Sequence, residues 1–342
     1  MGLTAQHRIR LGTFPTPLYF AERLTAQLGG PRIYIKRDDL TGLALGGNKT
    51  RMLEYLVADA LEQGATHLIT EGGPQSNHVR QTLAAARLTG LETVIVSNTT
   101  DPNPPVQGNF LLDHIFGIEY HRVSEERDRP ARMAQLADEL AANGYVPYVI
   151  PGGGSNGVGA LGYVAAMLEL NYQLWDQGVS ASAFYLPNGG GGTHAGVALG
   201  AALYGAEYGV RGIMIEDNAA IGAERSWKIV QETAGRLGIA CPLTKNDIVC
   251  IDGFVGEAHA VPTPEGLDAI RLLARAEAIL LEPVYSAKAF AGMLADIQCG
   301  MYSSKESVIF LHTGGTAALF AMTEELAPIL DGNERTRHDA TL

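Results

Sequence analysis

Short apolar runs alternate with stretches of helical period along almost all 342 residues, and this alternation narrows the fold more than any other feature. Arg32-Ile33-Tyr34-Ile35-Lys36 alternates as a strand does, and 49–63 then sets Met52, Leu53, Leu56, Val57, Ala60 and Leu61 at helical spacing. The order repeats as strand 67–70, helix 77–89, strand 93–96, helix 108–116, strand 119–123, helix 129–143 and strand 146–150. A glycine-rich break at 151–159 separates this block from helix 160–177, strand 183–186, strand 212–215 and helix 219–237. Helices 264–277 and 286–298 and strand 307–311 close the pattern, while the two prolines of 14–18 make a rigid extended opener. Strands joined through helices imply an α/β fold of parallel sheets, whose ligands sit at the carboxyl ends of the strands.

Composition sets the class of partner. Hydrophobic residues make up 46% and charged residues 18%, as in a compact globular protein of about two domains. The net charge of −12 disfavours nucleic acid and anionic membrane. Cys241, Cys250 and Cys299 are odd in number and lack metal-ligand spacing, so they read as reduced thiols, with no metal site expected. No stretch approaches a membrane span and 1–11 carries no apolar signal, which gives a cytoplasmic expectation.

Asn188-Gly189-Gly190-Gly191-Gly192-Thr193-His194 follows the apolar run 183–186 and precedes a run of small residues from Ala195. Glycines let backbone N–H groups converge, and a helix N-terminus adds a positive dipole end; the alternatives are a phosphate cup and a plain flexible turn. The stretch has neither a Gly-Lys-Ser/Thr ending nor a G-x-G-x-x-G followed by an acid, so a phosphate here belongs to neither standard nucleotide motif. Lys49 stands where Gly46-Gly47-Asn48 becomes a helix, either solvated behind an Asn48 cap or desolvated and able to form a Schiff base. Ser76, at the start of helix 77–89, is either an N-cap or a hydroxyl beside an anion bound by the helix amides. Tyr285 and Lys288, taken singly, lie in a strand-end loop.

Together the stretches G-G-N-K, Q-S-N-H, P-x-G-G-S, G-G-T-H-A-G, V-Y-x-x-K and H-T-G-G occur in one order. The chain thereby resembles the pyridoxal-phosphate enzymes that group D-cysteine desulfhydrase, L-cysteate sulfo-lyase and 1-aminocyclopropane-1-carboxylate deaminase. The resemblance implies the tryptophan-synthase-β-like fold (fold type II): two open, twisted, mainly parallel sheets with helices on both faces. It implies a large cofactor domain of 1–50 plus 160–342, a small domain of 51–159 inserted near the N-terminus, and a homodimer. Carried over, Lys49 matches the Schiff-base lysine, Ser76 and Tyr285 the active-site serine and tyrosine, and Gly189, Gly190, Gly191, Gly192 and Thr193 the phosphate cup. Asn48, Asn188 and Thr313 join the expected cofactor contacts, and Ser76, Asn77, His78, His259 and Ser286 the expected substrate contacts.

Ser286 and Thr313 match the desulfhydrase-like pair, where the deaminase branch has Glu and Leu. The implied reaction is β-elimination from a small β-substituted amino acid, D-cysteine first, giving pyruvate, ammonia and sulfide. L-cysteate sulfo-lyase, the cyclopropane deaminase and a non-catalytic amino-acid sensor are the alternatives. The chain departs from the family pattern at His259, where a tyrosine is usual, at Asn188, where the cup usually opens Thr/Ser-Gly-Ser, and at Pro74.

Overall fold

The computed structural model describes residues 2–99, 101, 103–327 and 329. Met1 and 330–342, which the expected large domain includes, lie outside the described residues. The chain begins with β1 (Leu18–Phe20), α1 (Glu22–Leu28), β2 (Arg32–Arg37) and α2 (Lys49–Glu62). Then come β3 (His67–Glu71), α3 (Asn77–Thr89), β4 (Glu92–Asn98), α4 (Gly108–Ile115), β5 (Tyr120–Val123), α5 (Arg129–Ala142) and β6 (Pro147–Val149). The second half runs α6 (Gly157–Asp176), β7 (Ala183–Asn188), α7 (Gly192–Leu203), β8 (Gly209–Met214), α8 (Ala219–Leu237) and β9 (Val249–Ile251). It closes with α9 (Pro264–Glu277), α10 (Ser286–Gln298) and β10 (Ser307–His312).

The strands form two sheets, one of six in the order β1-β2-β10-β7-β8-β9 and one of four in the order β5-β4-β3-β6. Among the described residues every strand pairing is parallel except β1 with β2, an antiparallel pair at the edge of the larger sheet. The α/β class and the two mainly parallel sheets are as the sequence implied. Both faces of the larger sheet are covered. Phe184, Leu186, Ile309 and Leu311 pack with residues of α2 and α6, whereas Tyr185, Val308 and Phe310 pack with α9 and α10. This explains why β7 and β10 are buried at every position and read as continuous apolar runs instead of alternating ones. Each such side chain stabilises the fold by roughly 1.5–3 kcal/mol when fully buried.

Some local expectations gave way to packing. α6 starts at Gly157 and α7 at Gly192, each about three residues earlier than the runs read from sequence. Glycine disfavours a helix by about 1 kcal/mol relative to alanine, yet these glycines sit where a side chain has no room. A Cβ on Gly157 would lie 2.7 Å from Cβ of Glu232, and one on Gly192 2.8 Å from Cε of Met52. β1, α1 and β9 escaped notice because segments of three to seven residues carry little periodicity. The stretch before Glu282 is irregular, so Tyr285 follows a loop and not the strand end first expected.

Candidate active site

Loops that follow β2, β3, β6, β7, β8 and β10 carry most of the residues singled out by sequence. The loop from β2 to α2 is the most strongly fixed of these. Asp38 is wholly buried and takes a two-pronged hydrogen bond from Arg51, Nε at 2.7 Å and Nη2 at 2.9 Å, and a third from the Tyr163 hydroxyl at 2.6 Å. Burial alone would raise its pKa, but the Arg51 guanidinium outweighs that and holds the carboxylate below its ordinary range. The Asp38 carbonyl accepts the Gly47 amide at 3.1 Å, and the Thr313 carbonyl accepts the Asn48 amide at 2.9 Å. Gly47 has φ +128°, and a Cβ there would meet Nε2 of Gln81 at 2.6 Å, so only glycine suits this turn.

This frame delivers Lys49 at the first turn of α2, half-buried, with Nζ donating to the Gly153 carbonyl at 2.8 Å. Desolvation lowers its pKa to about 8, partly opposed by the Glu216 carboxylate. A fraction of the amine is therefore neutral near pH 7. Asn48 does not cap α2 by a side-chain bond; its Nδ2 donates to Thr193 Oγ1 at 2.9 Å and ties the lysine loop to the glycine turn.

The glycine turn itself has the form of an anion cradle. Gly191 has φ +85° and starts α7 without any side-chain cap, so the amides of the first turn have no carbonyl of their own to meet. A Cβ on Gly190 would lie 2.7 Å from Ser155 Oγ, so the cradle wall is formed by the loop after β6. Asn188, expected among the cofactor contacts, is buried and turned elsewhere. Its Nδ2 donates to His194 Nδ1 at 3.1 Å and faces Cys250 Sγ at 3.3 Å. Its Oδ1 and His194 Nε2 are buried without a partner.

After β3, Ser76 Oγ accepts the Val79 amide at 3.2 Å, so the capping geometry is present. That leaves the hydroxyl proton and the amides of Asn77 and His78 at the open end of α3. The His78 side chain is inside: Nε2 lies 2.9 Å from Thr70 Oγ1, and burial, with the Lys49 charge, lowers its pKa to about 3. Asn77 Oδ1 accepts from Asn109 Nδ2 at 3.0 Å. The fully buried Arg80 donates to Asn109 Oδ1 at 2.7 Å and to the Gly46 carbonyl at 2.8 Å, linking α3 and α4 to the lysine loop.

Tyr285 and His259 meet. Their rings are edge-on at 5.2 Å, His259 Nε2 is 3.2 Å from the Tyr285 hydroxyl, and His259 Nδ1 is 3.1 Å from the Ile215 carbonyl. Burial raises the Tyr285 pKa, helped by the charges of Glu216 and Glu282, so the phenol stays protonated. Ser286, expected to touch substrate, is fully buried. Its Oγ accepts the Glu282 amide at 2.9 Å and lies 3.2 Å from the Glu282 carboxylate, which also receives the amides of Val284, Tyr285 and Ser286. Thr313 is buried in the loop after β10, next to Gly314 and Gly315, both at positive φ.

Ser155, Glu216 and Glu282 were not singled out by sequence. Ser155 lay within a quoted glycine stretch, and Glu216 at a strand's carboxyl end was the only available signal for the second. A phosphate-bearing aldehyde needs an anion cradle and a partly neutral amine, and the uncapped glycine turn and Lys49 supply that pair; the residues present fit pyridoxal phosphate.

The family described as "Pyridoxal-phosphate dependent enzyme" matches residues 9–314. The D-cysteine desulfhydrase of Yersinia pestis (strain Pestoides F) is 42% identical over 323 residues, covering 93% of this chain and 97% of that protein. The D-cysteine desulfhydrase of Salmonella paratyphi C (strain RKS4594) is 41% identical over 323 residues with the same coverage. Among solved structures, one titled as an ACC deaminase homologue superposes with a TM-score of 0.88 at 33% identity, over 96% of this chain and 97% of its own.

Proposed function

The chain belongs to the pyridoxal-phosphate-dependent enzymes, and from that premise we propose a carbon–sulfur lyase that converts D-cysteine and water to pyruvate, ammonia and hydrogen sulfide. One observation carries the reading: the desolvated Lys49 amine stands beside an uncapped glycine cradle to which Asn48 ties it directly.

When bound, pyridoxal phosphate supplies a sink for the electron pair left at the substrate's Cα. The amides of Gly189 to Thr193, with Asn48 and Thr193, hold the phosphate. Lys49 would hold the aldehyde, and Thr313 would be the hydroxyl offered to the ring nitrogen. The amides of Asn77 and His78 bind the substrate carboxylate, and the neutral His78 ring keeps that helix start free of a second charge. Ser76 and Lys49 take and return the proton at Cα. Tyr285 lies against the Cβ substituent. Ser286 has no part in this set, because its hydroxyl is spent on Glu282.

The segment 51–159, which holds the four-stranded sheet, acts as the small domain. Leu168, Tyr172 and Trp175, 54%, 64% and 76% exposed along one face of α6, are the apolar surface we assign to a homodimer. Three unpaired cysteines favour the cytoplasm. No described helix is long and apolar enough to cross a membrane.

The test is a product assay on the purified holoenzyme with D-cysteine, L-cysteate and 1-aminocyclopropane-1-carboxylate. Equal amounts of pyruvate and sulfide from D-cysteine, at the highest kcat/KM of the three, is the expected result. Sulfite from L-cysteate, or 2-oxobutanoate from the cyclopropane, as the faster product would replace the reading with that activity.

A further inference from the structure

His259 Nδ1 lies 3.1 Å from the Ile215 carbonyl, and a carbonyl oxygen only accepts. In the neutral ring Nδ1 must therefore carry the hydrogen, which leaves Nε2 bare and facing the Tyr285 hydroxyl at 3.2 Å. The phenol O–H then points at the imidazole, and the oxygen turns only lone pairs toward the cleft. Protonation of the ring reverses this. Nε2–H would donate to the phenol oxygen, and the phenol's own hydrogen would be released to point into the cleft.

We propose that His259 is a positioning residue that sets whether Tyr285 meets the substrate as an acceptor or as a donor, and so selects the group on Cβ. This rests on the reading of Tyr285 as the tyrosine beside that group. With neutral His259, Tyr285 accepts from a substituent that carries hydrogen, such as a thiol, which keeps its proton below about pH 8.5. A sulfonate is ionised and only accepts, so it pairs with Tyr285 only after His259 gains a proton.

The charges around the ring are specific. The Glu216 carboxylate, 3.7 Å from Nδ1, favours the imidazolium, while Arg225, bound to Glu216 at 2.9 Å, weakens that pull. Lys288 of α10 opposes protonation from behind, its Nζ donating to the Ala258 carbonyl at 3.0 Å and the His259 carbonyl at 2.8 Å. Glu216 also acts on Lys49, and both Glu216 and Glu282 act on Tyr285.

The experiment uses the holoenzyme with D-cysteine and D-cysteate, which share an enantiomer and differ in the Cβ group. The ratio of kcat/KM for the sulfonate over the thiol should rise as pH falls, by up to about tenfold per pH unit. In His259→Gln, and in His259→Phe as a second variant, the ratio should become independent of pH while the visible cofactor absorbance is retained. Long-range proton–nitrogen NMR of the substrate-free holoenzyme should show the Nδ1–H tautomer of His259 at pH 8. An Nε2–H tautomer at that pH, or a pH-independent ratio in the unmodified enzyme, overturns the proposal. Failure to release pyruvate from D-cysteine would tell instead against the assigned reaction, because the tautomer is read without substrate.

Discussion

At the scale of single residues, three buried or half-buried lysines differ in how fully they are satisfied. Lys36 Nζ is held by the Thr16 carbonyl, Glu169 and Gln173, and Lys288 Nζ by three backbone carbonyls. Lys49 has one acceptor, the Gly153 carbonyl, and no carboxylate in contact, so it is the amine that loses least on becoming neutral. Ser76 carries two roles that one substitution separates. Loss of the cap in Ser76→Ala should cost about 1 kcal/mol of stability. Loss of the proton-moving hydroxyl should cut turnover by roughly 10²-fold with cofactor still bound. Steady-state kinetics beside a melting curve reads both, and unchanged turnover would leave Ser76 as a cap alone. Ser286 shows how a residue read from a motif can be displaced by packing. Its position in the motif is a helix start, but the buried Glu282 four residues earlier encloses it.

At the scale of elements, the helix starts decide what the loops can bind. α3 has a side-chain cap and α7 has none, so of these two helices it is α7 that leaves its whole first turn open to an anion. α4 contributes Asp113, which is 1% exposed with Oδ1 unpartnered; burial pushes its pKa up to about 8, against the pull of Arg80. A carboxyl raised in the fold keeps its proton while the unfolded chain loses it near pH 4, so stability falls as pH rises from about 4 to 8. Asp113→Asn should remove that loss. The variant and the parent should unfold alike near pH 4, and by pH 8 the variant should be the more stable by a few kcal/mol, because each pH unit crossed in that window costs the parent on the order of 1.4 kcal/mol. Denaturant titrations at both pH values measure it; a gap that does not grow with pH would show Asp113 ionised beside Arg80. The long helices were legible because their apolar spacing is local, and α3, α8, α9 and α10 begin and end where the pattern says. The glycine-led starts of α6 and α7 were not, because what selects glycine there is a neighbour distant in sequence, Glu232 for Gly157 and Met52 for Gly192.

At the scale of the whole molecule, the six motifs could be read from sequence because each is one contiguous turn. What joins them could not. The Asn48 to Thr193 bond, the Ser155 wall of the cradle and the Arg80 bridge to Gly46 connect residues far apart in sequence, and only the packing of the two sheets brings them within reach. The His259 and Tyr285 pair belongs to the same class, since His259 looked like a departure until its two ring contacts were visible. The account as a whole depends on Lys49 being the residue that carries the cofactor. Borohydride reduction of the yellow holoenzyme, followed by peptide mapping, measures this most directly. The pyridoxyl group should be found on Lys49 alone, with the visible absorbance lost on reduction. Finding it on Lys36 or Lys288 would contradict the account.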